Sequence, residues 1–155
     1  MSDGYGTIVS EITPGKVIST FATGLDDPVV LAFNASGDLF EADSLSGHIY
    51  EFLNNGGALS PTPVAFQSGL NHPTALAFDA SGDLFVTEQA NGDLAEIKAN
   101  GSESVFASGF GLPTSLAISG AALPVPELSL AVLSTIGGFF LMLVRRKEWR
   151  SDQLK

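Results

Sequence analysis

The side chains best suited to chemistry in this chain sit at matching places in two near-copies of one phrase. Asp26 and Asp27 stand where Asn71 and His72 stand 45 positions later, and Asp43 stands where Glu88 does. Carboxylate oxygens together with an Asn and a His are ligands that could hold Ca²⁺ or another divalent metal. The competing explanation is structural. Asp43 and Glu88 occupy equivalent positions, as expected of side chains that tie a turn to the backbone in every copy. We favour that second explanation and expect no resident cofactor. The other routes to catalysis are thin. His48 and His72 are too far apart in the repeat frame to act as a pair. No Gly-x-Ser-x-Gly elbow is present, and the glycine-rich turns lack the lysine and following helix that phosphate binding needs. The absence of cysteine excludes disulfides, thiolate metal sites and cysteine nucleophiles. With no catalytic set visible, the expectation is a protein that is not an enzyme.

The residues that must position these side chains are repetitive. Phe21 to Phe52 matches Phe66 to Ile97, and Phe106 to Gly120 restarts the phrase 40 positions on. The stretch LAFNASGDLF, 31–40, returns as LAFDASGDLF, 76–85, with only Asn34 changed to Asp79. Upstream, 4–21 resembles the back half of a unit, 91–106. Units of about 40 to 45 residues are the length of propeller blades. Within one unit, Val29 to Phe33 and Leu39 to Ala42 form a hairpin around Asn34-Ala-Ser-Gly-Asp38. His48 to Phe52 and Val64 to Phe66 supply two further strands, with a Pro-containing excursion between them. No helical period appears before Pro124. A small sheet has two faces to cover, and stacking copies of it around an axis covers both.

The phrases GLDDPVVLAFNASGDLFEAD and GLNHPTALAFDASGDLFVTE resemble NHL-type β-propeller repeats over 4–120. The resemblance implies an all-β fold, a partial β-propeller of four-stranded blades, and a ligand face made by the loops leading into the innermost strand and those between strands two and three. On that mapping Asp26, Asp27, Asp43, Asn71, His72 and Glu88 are the candidate ligand face. The family includes binding proteins, lactone hydrolases and lyases, the lactonases with a metal in the channel. We therefore expect a binding or scaffold module, with a metal-dependent lactonase or lyase as the alternative and a nonfunctional gene fragment as a third. Units at 21–65, 66–105 and 106–120, with half a unit at 4–20, amount to about three blades, half of a six-bladed ring. Either a homodimer completes the ring or the reading frame once continued upstream.

Composition changes abruptly after 120. Up to Pro124 the chain carries fourteen Asp and Glu against two Lys, a net −12, whereas 125–155 carries +2. The acidic body argues against nucleic acid as a partner. Following a linker at 121–127, Leu128 to Val144 runs without a charge and is then stopped by Arg145, Arg146 and Lys147, with Trp149 at an interfacial position. The expectation is one transmembrane α-helix in contact with membrane lipid over 128–144, a basic stop to 147, and a cytoplasmic tail at 148–155. By the positive-inside rule the N-terminal domain lies outside the cytoplasm. Val125, Pro126 and Glu127, the apolar span and the basic stop together resemble the PEP-CTERM sorting segment of Gram-negative bacteria that make exopolysaccharide. That resemblance implies recognition by an exosortase, delivery to the cell envelope and release at the surface after processing; for the propeller module itself we expect a polysaccharide or protein ligand. Leu128 stands where that family has its second proline. The first residues offer neither a basic start nor an apolar leader, so an upstream continuation holding a leader and further blades is expected.

Overall fold

In the computed structural model the described residues are 6–119 and the backbone of Leu141–Val144. Strands β1 (Ile8–Ile12) and β2 (Ile18–Thr23) form an antiparallel hairpin. A first complete sheet follows, with β3 (Pro28–Phe33), β4 (Leu39–Asp43), β5 (His48–Phe52) and, after the short hairpin β6 (Asn54–Asn55) and β7 (Ala58–Leu59), the outer strand β8 (Val64–Gln67). The second complete sheet is β9 (Pro73–Phe78), β10 (Leu84–Glu88), β11 (Asp93–Ile97) and β12 (Glu103–Ala107), an unbroken antiparallel meander. Strand β13 (Ser115–Ile118) opens a third unit and pairs in parallel with β14 (Leu141–Val144). No helix occurs among the described residues.

The repeated hairpin turn shows why Asn34 and Asp79 are interchangeable. Asn34 Oδ1 accepts the backbone N–H groups of Ser36 and Asp38, and Asp79 Oδ1 accepts those of Ser81 and Asp83, all at 2.8–2.9 Å. Both side chains present the same acceptor two residues ahead of the turn, the Asx geometry that competes with continued pairing. The turn ends one strand and starts the next.

Strands β4 and β10 are buried at every residue, so both faces of each sheet are covered. Alternation along the strand sends neighbouring side chains to different seams. Leu39 packs with Val9, Ala22, Leu25 and Phe52 toward the β1–β2 hairpin. Phe40 packs with Leu76, Leu84, Val86 and Ile97 toward the second sheet, capped edge-on by Phe66 and Phe78 at 5.0 and 4.9 Å. A third seam joins Phe85 and Leu94 to Phe110, Leu116 and Ile118. Strands β3, β9 and β13 lie side by side as the inner strands of successive units.

A backbone clasp repeats at each step between units. Leu25 N donates to Thr7 O at 3.3 Å, Leu70 N to Gly47 O at 3.1 Å, and Phe110 N to Gly92 O at 2.9 Å. Donors and acceptors are equivalent positions in the repeat. At the second and third steps the approach is close enough to dictate the residue: at Gly92, with φ +71°, a Cβ would collide with the Phe110 carbonyl oxygen, and at Gly47 with that of Leu70.

The expected membrane helix falls on residues outside the described set, apart from Leu141–Val144. Those four residues are a strand and correct the expectation there. The physical reason is that β13 begins a unit whose antiparallel partner is lacking among the described residues, and an extended backbone satisfies its edge. Among the described residues no helix is long and apolar enough to cross a membrane.

Gly92→Ala and Gly101→Ala separate the clasp from mere backbone preference, because both glycines have positive φ but only Gly92 has a neighbour in the way. Gly101→Ala should cost about 1–2 kcal/mol for the left-handed conformation. Gly92→Ala should cost at least twice as much in urea unfolding, since it must also push neighbouring units away from each other.

Candidate functional site

The loops leading into β3 and β9 lie beside the turns that follow β4 and β10, and one carboxylate at each junction holds them together. Asp43 Oδ2 accepts the N–H of Asp26 at 2.6 Å, and its Oδ1 accepts that of Ser46 at 3.0 Å. Glu88 repeats the arrangement with a longer arm. Its Oε1 accepts Asn71 N at 2.7 Å and Asn71 Nδ2 at 3.2 Å, while Oε2 accepts Asn91 Nδ2 at 3.3 Å. Backbone bonds reinforce both junctions, Ser44 N to Asp27 O and Gln89 N to His72 O. Both carboxylates are buried, and their oxygens are spent on amides.

The six candidate residues are thus brought together in two junctions of three. Asp43 accepts from Asp26 while the neighbouring Ser44 N reaches Asp27 O; Glu88 accepts from Asn71 while the neighbouring Gln89 N reaches His72 O. Asp26, Asn71 and His72 are exposed, whereas Asp27 is buried. His72 adopts φ +52°, a left-handed conformation that turns the loop toward β9. His48 lies opposite Asp43 in the β4–β5 ladder, with Nδ1 at 3.0 Å from Ser46 O and its ring stacked on Tyr50. Among the described residues no group of three or more His, Asp or Glu is placed to hold a metal ion. Carboxylates committed to two or three N–H donors have little left to offer a cation, so these junctions do not fit the metal that the lactonase resemblance implies. Val125, Pro126 and Glu127, and likewise Arg145, Arg146 and Lys147, lie outside the described residues.

Glu41 is the residue that composition and spacing passed over. It stands in β4 where the second unit has Val86, and it is 0% exposed. Neither carboxylate oxygen has a hydrogen-bond partner among the described residues. Burial, with the Asp43 and Asp27 carboxylates nearby adding repulsion, pushes its pKa from 4.5 up to about 8. At neutral pH Glu41 is therefore a neutral acid. The one signal in the sequence was the mismatch with Val86, since alternation puts this position in a seam.

No protein-family model matches the chain, and neither does any curated protein. Solved structures do share its fold. A candidate gluconolactonase superimposes with TM-score 0.60 at 22% identity, over 75% of this chain and 40% of its own. Virginiamycin B lyase from Staphylococcus aureus gives 0.54 at 16%, over 70% and 36%, and a streptogramin B lyase gives 0.56 at 15%, over 71% and 37%. The chain spans about 40% or less of each of these neighbours. They are propeller-type proteins, and this chain, over its described residues, is all-β with a partial β-propeller fold.

The junction and Glu41 each make a measurable demand on stability. Asp43→Ala leaves the part-buried N–H groups of Asp26 and Ser46 without their acceptor and should cost about 1–3 kcal/mol in denaturant unfolding. For Glu41 the folded state holds a proton that the unfolded chain has lost between pH 4.5 and about 8. Stability should therefore fall as pH rises through that window, with a slope of up to about 1.4 kcal/mol per pH unit. Glu41→Val should be more stable than the parent at pH 8 and should lose that slope.

Proposed function

We propose that this chain is a binding or scaffold module built of NHL-like propeller blades, held at a bacterial cell envelope by a PEP-CTERM-like tail. The observation that carries the scaffold role is the commitment of Asp43 and Glu88 to backbone amides. The acidic junctions are joints that fix loop shape, and the exposed Asp26, Asn71 and His72 beside them form a polar surface that suits a neutral polysaccharide or a protein ligand. The lactonase or lyase alternative draws support only from neighbours under 25% identical, a likeness of fold.

The anchoring role is supported by the uncharged run 128–144 between Val125-Pro126-Glu127 and Arg145-Arg146-Lys147. In lipid that run satisfies its backbone as a helix. In water its last four residues have β13 to pair with.

Fractionation of a Gram-negative host that carries an exosortase tests this reading. The full chain should stay with membranes through carbonate extraction and leave them with detergent. Ile136→Arg, at the middle of the run, should cost about 2.5–3.5 kcal/mol of insertion and move the protein to the soluble fraction. A parent chain released by carbonate alone would overturn the anchor.

A further inference from the structure

Three asparagines in the chain are followed by glycine: Asn55, Asn91 and Asn100. The pairing is chemically labile, because a glycine nitrogen has no Cβ beside it to shield it from the side-chain amide of the asparagine before it. Attack on that amide needs a nitrogen free of its hydrogen bond and an asparagine side chain free to turn back. At two of the three sites the fold withholds both. Gly92 is buried and its N donates to Glu88 O at 3.0 Å, while Asn91 Nδ2 donates to Glu88 Oε2 at 3.3 Å and Asn91 Oδ1 accepts Asp93 N at 3.2 Å. Gly101 N donates to Lys98 O at 2.8 Å, and Asn100 Oδ1 accepts the N–H and the hydroxyl of Ser102 at 3.0 and 2.7 Å.

Asn55 has neither restraint. It opens the turn of the β6–β7 hairpin, an excursion between third and fourth strands that the second unit lacks, with Gly56 and Gly57 at φ +69° and +99°. The base of this hairpin is fixed. Asn54 N donates to Asp38 Oδ1 at 2.8 Å, Asn54 Nδ2 donates to Ser36 O at 3.0 Å, and Asn54 Oδ1 accepts Gly57 N at 2.8 Å. Its tip stands clear of the rest: residues 55–58 are exposed, and a Cβ at Gly56 would meet nothing within 4 Å. Among the described residues neither the Asn55 side chain nor the Gly56 N–H makes a hydrogen bond.

We propose that Asn55 is a site of spontaneous deamidation, set apart from Asn91 and Asn100 by the fold and not by the local sequence. The Gly56 backbone nitrogen, giving up its proton, attacks Cγ of Asn55. The new C–N bond closes a cyclic imide, and the side-chain nitrogen leaves as ammonia. Water then opens the ring at either of its C–N bonds, giving aspartate from one opening and isoaspartate from the other. Asparagine and water are consumed, a carboxylate and ammonium are formed, and nothing is oxidised or reduced. Either product adds one negative charge to the chain's −10. Isoaspartate also inserts a methylene into the main chain, at a turn whose register pairs Asn55 with Ala58 and Asn54 with Leu59. Leu59 packs against the cluster of Leu39 and Phe52, so a lengthened turn loosens its hold on that seam. The modification is independent of what the module binds and of whether the tail is held in lipid.

Ageing the purified full chain in warm neutral buffer with detergent micelles, followed by peptide mapping in a mass spectrometer, tests it. The peptide that holds Asn55 should gain about one dalton as NH₂ is exchanged for OH. It should also split into two chromatographic forms, of which only the isoaspartyl form accepts a methyl group from an isoaspartyl methyltransferase. In the folded chain Asn55 should react at least about fivefold faster than Asn91 or Asn100, where a hydrogen bond must open first. In urea the three sites should converge on similar rates, since each is then an unrestrained Asn-Gly pair. Asn55 staying intact in the folded chain while it reacts in urea, or Asn91 or Asn100 keeping pace with it before unfolding, would overturn the proposal.

Discussion

A strand such as β4, with Leu39 facing one seam and Phe40 the next, has no solvent side. Its sheet of four short strands cannot hide two apolar faces by itself, so each unit depends on the neighbours that flank it. That requirement explains why Phe21, Phe66 and Phe106 recur at one repeat position and why aromatic rings fill the seams. It also explains why the ends of the arc are where the structure departs from its own pattern. Apolar side chains buried in the middle, at Phe52 and Ile97, are half in water at Ile12.

The polar groups answer to the same constraint. A loop that leads into an inner strand must lie close against the preceding unit, which buries backbone N–H groups that need acceptors. The carbonyls of Thr7, Gly47 and Gly92 provide one acceptor per step, and the Asp43 and Glu88 carboxylates provide others. Two members of what looks in a sequence like an acidic ligand cluster, the Asp43 and Glu88 carboxylates, thus serve backbone accounting. Glu41 is the exception, a carboxyl group in a seam with neither an N–H nor a cation to meet it among the described residues.

Much of this could be read before any coordinates. The period, the hairpin around Asn34 and Asp79, and the structural use of Asp43 and Glu88 all followed from equivalent letters at equivalent places. The repeat served as its own control. Two features escaped. Glu41 reads as an ordinary surface charge unless its face is known, and a strand buried on both faces erases the alternation that would reveal it. The run Leu141–Val144 is apolar and short, and such a run is compatible with helix or strand until its partner is known. Leu141–Val144 pairs with the open edge of β13, and the remainder of the expected helix, 128–140, lies outside the described residues.

The interchangeability of the clasp reaches beyond one molecule. Because Leu25, Leu70 and Phe110 meet the unit before them in one manner, a gene that gained or lost a whole stretch of some 40 codons by unequal crossing-over would still encode matching neighbours on either side of the scar. Architectures of this sort can vary their number of wedges one whole unit at a time, and the near-verbatim decapeptides at 31–40 and 76–85 mark two such units.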